Sequence, residues 1–183
     1  MSLYAFSTEN WNRPKDEIRH LFKYLELFFK REKARMLREG CRIIVSGDIT
    51  PLPASTKKTI IEAIEDTKEC KQFTFNICLN YGGKAELVRA AKLFAQEVVD
   101  GTKKVEDLTE ENFEQYLYTK DLPPVDLLIR TSGEVRISNF MLYSLSYSEL
   151  VFTSTCFPDF DEKEFDKVLE DYYSRNITKG AVK

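Results

Sequence analysis

The 183-residue chain is 43% hydrophobic and carries 27 Lys+Arg against 30 Asp+Glu, a net charge of −3. That size and apolar share suffice for a sizeable core, exclude a disordered chain and fit one domain over residues 1–183. The charge balance gives no whole-molecule attraction to nucleic acid or an anionic membrane, so no nucleic-acid partner is expected and local arginines must hold any anion.

The chain opens with "LYAF", a strand candidate, and runs into the polar stretch "STENWNRP", which holds its only tryptophan, Trp11. Residues 16–39 then place Ile18, Leu21, Phe22, Leu25, Phe28 and Phe29 at helical spacing, with Gly40 placed to end the helix. "CRIIVSGD" is a β-branched strand candidate, followed by a turn with Pro51 and Pro53 and a helix over residues 54–69. "FTFNICLN" reads as a strand, and "YGGKAELVRAAKLFAQEVV" as a glycine turn feeding a helix. Thr109 caps a short helix running to Tyr118. "VDLLIR" suits a strand covered on both faces, "SNFMLYSLSYSE" looks helical, and "LVFTS" is a last strand. Asp161 with Glu164 opens a final helix ending near Arg175.

Alternating strands and helices give an α/β fold with a mainly parallel central sheet flanked by helices. Ligands of such sheets bind beyond the carboxyl ends of the strands, so residues 7–13, 80–83 and 130–138 are expected to be neighbours there. Cys41, Cys70, Cys78 and Cys156 show no C-x-x-C pair and read as reduced, buried thiols of a cytoplasmic protein. No stretch approaches the roughly 20 apolar residues of a membrane span, so any lipid contact is peripheral.

The first loop offers Ser7, Glu9, Asn10, Trp11, Asn12 and Arg13, then Asp16 and Glu17, either an acid-rich helix start or a wall that is half ligand. An indole in polar company needs both an apolar surface and an acceptor for its N–H. In "RTSGEVRISN", Arg130, Arg136 and Ser138, with the N–H groups of a helix starting near Ser138, suit an anion. The alternative is surface arginines paired with Glu134. Glu149, between helix and strand, calls for a cation, either an arginine or a hard metal. Neither phosphate-loop glycine pattern is present, and the single histidine, His20, lies within the long helix, which argues against zinc and a Ser-His-Asp triad.

"LYAFSTENWNRP", "NYGG" and "DLLIRTSGEVRISNFMLYSLSYSELVFT…FPDF" together resemble the cis-prenyltransferases, typified by undecaprenyl diphosphate synthase. The resemblance implies a magnesium-dependent, homodimeric enzyme making a lipid carrier for the cell wall, cytoplasmic with peripheral contact at the inner membrane face. It would condense isopentenyl diphosphate onto an allylic diphosphate such as farnesyl diphosphate. It further implies that Arg130, Arg136, Ile137 and Ser138 bind isopentenyl diphosphate and that Glu149 is associated with Mg²⁺. Ser7, Thr8, Glu9, Trp11 and Arg13 would handle substrate. Asn10 would fall where the family removes a proton; an amide is a poor base, so it would orient an acceptor or relay. The apolar faces of the long helix and of "FTFNICLN" would line a product tunnel, with Phe73 and Phe75 setting its length.

The sequence also departs from the family. No "MDGNGRW"-like segment, with its magnesium-carrying aspartate, occurs in these 183 residues. The expectation is therefore an amino-terminally truncated domain that lacks the family's first strand and helix and is inactive alone. The alternative is a non-catalytic partner or diphosphate-binding module of a two-component prenyltransferase. Smaller departures are Val135, Tyr143 and "SRNITKG" in place of an arginine-glycine ending.

Overall fold

A computed structural model describes residues 1–177, so only part of "SRNITKG" is covered, its last three residues lying outside the described residues. The chain divides into two compact units, Met1–Lys120 and Asp121–Lys183.

In the first unit, β1 (Ser2–Ser7) leads through a 3-10 turn (Thr8–Asn12) to α1 (Lys15–Arg38). β2 (Cys41–Ser46), α2 (Ala54–Thr67), β3 (Phe73–Tyr81) and α3 (Gly83–Val99) follow. The three strands form a parallel sheet in the order β1-β3-β2. Ile18, Phe22, Phe29 and Met36 form the buried stripe of α1. Asp16 and Glu17 in its first turn, and Arg35 and Arg38 in its last, complement the helix dipole. Gly40, at φ +67°, ends the helix in the left-handed conformation that a side chain resists.

The stripe of α1 shares one core with Phe6, Ile43, Phe75, Ile77 and Leu79 of the sheet and Ile60 and Ala63 of α2. Phe75 is buried in that core, whereas Phe73, at the start of β3, is 46% exposed. The other face of β3 is polar yet buried. There Asn76 accepts from Ser46 Oγ (2.9 Å) and donates to Ser2 Oγ (3.1 Å). Cys78 is fully buried, and burial pushes its thiol up to about 12. Cys41 is buried as well, while Cys156 lies exposed; all four cysteines are free.

Thr109 caps α4 (Glu110–Phe113), its Oγ1 accepting from the Asn112 N–H at 3.3 Å, and a 3-10 turn carries the chain on to Tyr116.

In the second unit, β4 (Leu127–Arg130) pairs in parallel with β5 (Glu149–Phe152), and α5 (Glu162–Ser174) follows. Asp161 Oδ1 accepts from the Glu164 N–H at 3.0 Å, the expected cap. The helix expected over "SNFMLYSLSYSE" is absent, and the segment is a series of turns. Ser138, Asn139 and Met141 sit at φ +50°, +63° and +42°, which interrupts a right-handed helix at its start. Serine hydroxyls there bond main-chain carbonyls, Ser146 to Tyr143 (2.6 Å) and Ser148 to Val125 (2.6 Å), a local alternative to helix bonding. No helix N-terminus therefore stands at Ser138 to supply anion-binding N–H groups.

Candidate active site

At the carboxyl end of β1, the 3-10 turn gathers Ser7, Thr8, Glu9, Asn10 and Trp11 into one knot, with Arg13 just beyond. The Ser7 N–H donates to Asn10 Oδ1 at 2.8 Å, which fixes the amide and leaves its NH₂ as the free end. Arg13 is exposed and pairs with Glu17 at 2.8 Å.

Trp11 meets both needs of a buried-edge indole. Its ring packs against Phe6 (centroids 5.1 Å, interplanar 78°) and Phe22 (5.8 Å, 44°), and its N–H donates to Asn80 Oδ1 at 2.7 Å. The ring remains 37% exposed, so it can still serve as a wall. Residues 7–13 and 80–83 are thus brought together as expected.

Asn80 also donates from Nδ2 to the Asp48 carbonyl at 2.7 Å, which brings in the loop after β2. Approach is close enough that a Cβ on Gly47, at φ +125°, would stand 1.9 Å from the Leu79 carbonyl oxygen. Hydrogen bonds from Thr50 hold the Asp48 carboxyl below its usual range. The register of β1 on β3 slips at this point: Tyr4 pairs with Cys78, Phe6 with Leu79 and Ser7 with Tyr81. Asn80, at φ +45°, is the residue on β3 that the slip skips.

Beyond β3, the glycines of "NYGG" are buried, Gly82 capping α3 and Gly83 starting it. Glu86 in the first turn is fully buried. Its carboxyl accepts from Tyr81 OH and, at 3.0 Å, from the Tyr118 N–H. Burial pushes Glu86 above the usual carboxyl range, and burial with the Glu86 bond pushes the Tyr81 phenol up as well. Arg89 lies 4.2 Å over the Tyr118 ring and donates to the Tyr116 carbonyl at 3.0 Å.

In the second unit, Arg130 ends β4 and Thr131 begins the loop. The Ser132 and Gly133 N–H groups donate to the Thr155 and Thr153 carbonyls, each at 2.8 Å. Arg136 is exposed and ion-paired with Glu134, while Ile137 and Ser138 are half-buried. Among the described residues, the non-glycine positions at positive φ are Asn80, Ser132, Ser138, Asn139 and Met141. Four of those five fall within the arginine loop and its continuation, and sustained backbone strain of this kind clusters at functional sites.

Glu149 starts β5 opposite Leu127, at the other end of the strand pair from Arg130, about 10 Å away along the strands. Its carboxylate accepts from Arg175 Nη1 at 2.7 Å, and Arg175 is held in turn by Asp171 at 2.6 Å. The cation that Glu149 calls for is thus an arginine here. Among the described residues no group of three or more His, Cys, Asp or Glu is placed to hold a metal. Glu149, the carboxylate that the resemblance associates with magnesium, is thus already paired with Arg175 in this structure.

Glu86 and the loop at Gly47 went unrecognised in the sequence as parts of the frame, and Asn80 was expected there only as the start of the 80–83 loop. Glu86 had a signal: it keeps helical step with the buried Ala90 and Phe94, a carboxylate on a core stripe.

Comparison with known proteins agrees with this geometry. The family model described as "Putative undecaprenyl diphosphate synthase" matches residues 1–180. An isoprenyl transferase of Fusobacterium nucleatum is 46% identical over 183 residues, covering all of this chain and 76% of its own length. That of Bacillus subtilis is 43% identical over 182 residues, covering all of this chain and 70% of its own. The crystal structure of lavandulyl diphosphate synthase from Lavandula x intermedia, in complex with dimethylallyl diphosphate, superposes with a TM-score of 0.94. It is 32% identical, over 98% of this chain and 78% of that one. With family, relatives and fold in agreement, the chain belongs to the undecaprenyl diphosphate synthase family of isoprenyl transferases.

Proposed function

We propose that these residues form the isopentenyl diphosphate half of a cis-prenyltransferase that extends an allylic diphosphate, such as farnesyl diphosphate or a shorter primer. The observation that carries this reading is the strained loop with Arg130, Arg136 and Ser138 at the carboxyl end of a parallel strand, in a chain of this family. The two units are then halves of one transferase domain.

In the reaction, the alkene of isopentenyl diphosphate supplies the electron pair of the new carbon–carbon bond. The allylic carbon–oxygen bond breaks, diphosphate leaves with its pair, and a proton is lost beside the new bond. Arg130 and Arg136 hold the diphosphate that stays attached, through charge-assisted bonds that suit its oxygens, with Ser138 and Ile137 beside them. Ser7, Thr8, Glu9, Trp11 and Arg13 form the substrate loop. Asn10, its oxygen engaged by Ser7, presents its NH₂ and so orients a proton acceptor rather than taking the proton itself.

Magnesium dependence belongs to the same reading, with the ion supplying positive charge to diphosphate oxygens when bound. Glu149 is open to it only where Arg175 gives way. A homodimer, peripheral contact with the inner membrane face and a role in cell-wall lipid supply complete the proposal.

The test uses radiolabelled isopentenyl diphosphate, farnesyl diphosphate and Mg²⁺, with this chain and with a form extended upstream to include an "MDGNGRW"-type segment. Polyprenyl product from the extended form alone is expected, since these residues hold no such aspartate. Product from neither form points to a binding or partner module. In calorimetry, Arg136→Ala weakens isopentenyl diphosphate binding by about 10- to 100-fold, as loss of charge-assisted bonds would. Unchanged affinity overturns the assignment of the loop.

A further inference from the structure

We propose that Asn80 is a positioning residue for the substrate loop, acting through the Trp11 indole; this deepens the reading of residues 7–13 given above. The Asn80 amide accepts from a group that can only donate, the indole N–H (2.7 Å), and donates to one that can only accept, the Asp48 carbonyl (2.7 Å). Its orientation is therefore forced at both ends.

Aspartate at this place would keep the acceptor and lose the donor, and alanine would lose both. The position also demands φ +45°, which asparagine tolerates better than most residues. Asn80 is 9% exposed, so the bonds are shielded from water that could replace them. Trp11 is then gripped from three elements: Phe6 of β1, Phe22 of α1 and Asn80 of β3. Only its outer part remains for a ligand. The loop after β2 is tied into the same clamp by Asp48, whose N–H also donates to the Asn80 carbonyl at 3.4 Å.

The experiment reads the indole directly. In a ¹H–¹⁵N spectrum the Trp11 indole signal is assigned by its loss in Trp11→Phe, and its exchange with solvent is measured. Asn80→Ala shifts the signal and speeds exchange by at least about tenfold, while Asn80→Asp, which keeps the acceptor, leaves exchange slow. In the upstream-extended enzyme, Asn80→Ala lowers kcat/KM for isopentenyl transfer by about 10- to 100-fold. The same change on a Trp11→Phe background adds less than about threefold, because the shared bond is already gone. Wild-type indole exchange in Asn80→Ala, fast exchange in Asn80→Asp, or fully additive losses each overturn the proposal. If Asn80→Ala does not fold, the exchange rate of Asn80→Asp decides. A wild-type enzyme that transfers nothing sinks the proposed function alone, since the exchange measurement needs no activity.

Discussion

Within Met1–Lys120 polar side chains are enclosed and satisfied: Asn76 by Ser46 and Ser2, Asn80 by the Trp11 indole and the Asp48 carbonyl, Glu86 by Tyr81 and the Tyr118 main chain. Within Asp121–Lys183 the loop after β4 is held mainly by its own backbone, through the Ser132 and Gly133 N–H groups, and its arginine side chains stand near solvent. The first region fixes its polar side chains by internal bonds. The second leaves Arg136 exposed, tied to its loop neighbour Glu134, and holds the loop in left-handed conformations. Fixation by side chains and fixation by backbone are thus divided along the sequence.

The sharpest way to break this contrast is at Gly47. Gly47→Ala drives a methyl into the Leu79 carbonyl at a φ hostile to side chains, and we expect a loss of about 4 kcal/mol in urea unfolding. A loss below about 1 kcal/mol would mean that the loop after β2 is not locked to β3.

Next in size is Glu86→Ala, which removes the acceptor of the Tyr81 hydroxyl and of the Tyr118 N–H in a buried space and costs roughly 3 kcal/mol. Glu86 also carries a pH signature. Burial raises its folded pKa above the unfolded value of 4.5, so its titration contribution is fully present below that value and is lost as pH rises through the folded pKa. Urea midpoints of the wild type should therefore fall across that window relative to those of Glu86→Gln. Parallel profiles would show that the carboxyl does not titrate with folding.

The smallest effect belongs to the second region. Asp161→Ala removes the cap of α5, a helix whose only buried residue among those described is Val168, and costs about 1 kcal/mol. Amide exchange should accelerate along α5 and stay unchanged in β3. Equal acceleration in both would show that the two regions open together.

The order of elements was legible because their periodicities are strong. The stripe from Ile18 to Phe29 and the run "FTFNICLN" both appear within a residue or two of their expected limits. "SNFMLYSLSYSE" misled because apolar residues at helical spacing say nothing about φ, and Ser138, Asn139 and Met141 adopt values that only the folded loop imposes. In the site, Trp11 signalled its need for an acceptor, yet the acceptor lay 69 residues away and could be named only in three dimensions. The arginine partner of Glu149 was one of two open readings, and Arg175 decided between them for this structure.

The slip between β1 and β3 limits how the strands can change in length. Tyr4 faces Cys78, Phe6 faces Leu79 and Ser7 faces Tyr81, so one extra residue on β1, Ala5, is cancelled by one on β3, Asn80. The offset before the slip is restored by Ser7, and the loop that follows leaves the sheet in phase. A single-residue deletion in β1 would turn Ser7 and everything it delivers to the opposite face, and one in β3 would do the same to Tyr81. A matched pair of deletions, one in each strand, would keep the phase and remove Asn80 from reach of the indole, which makes strand length itself a determinant of where Trp11 stands.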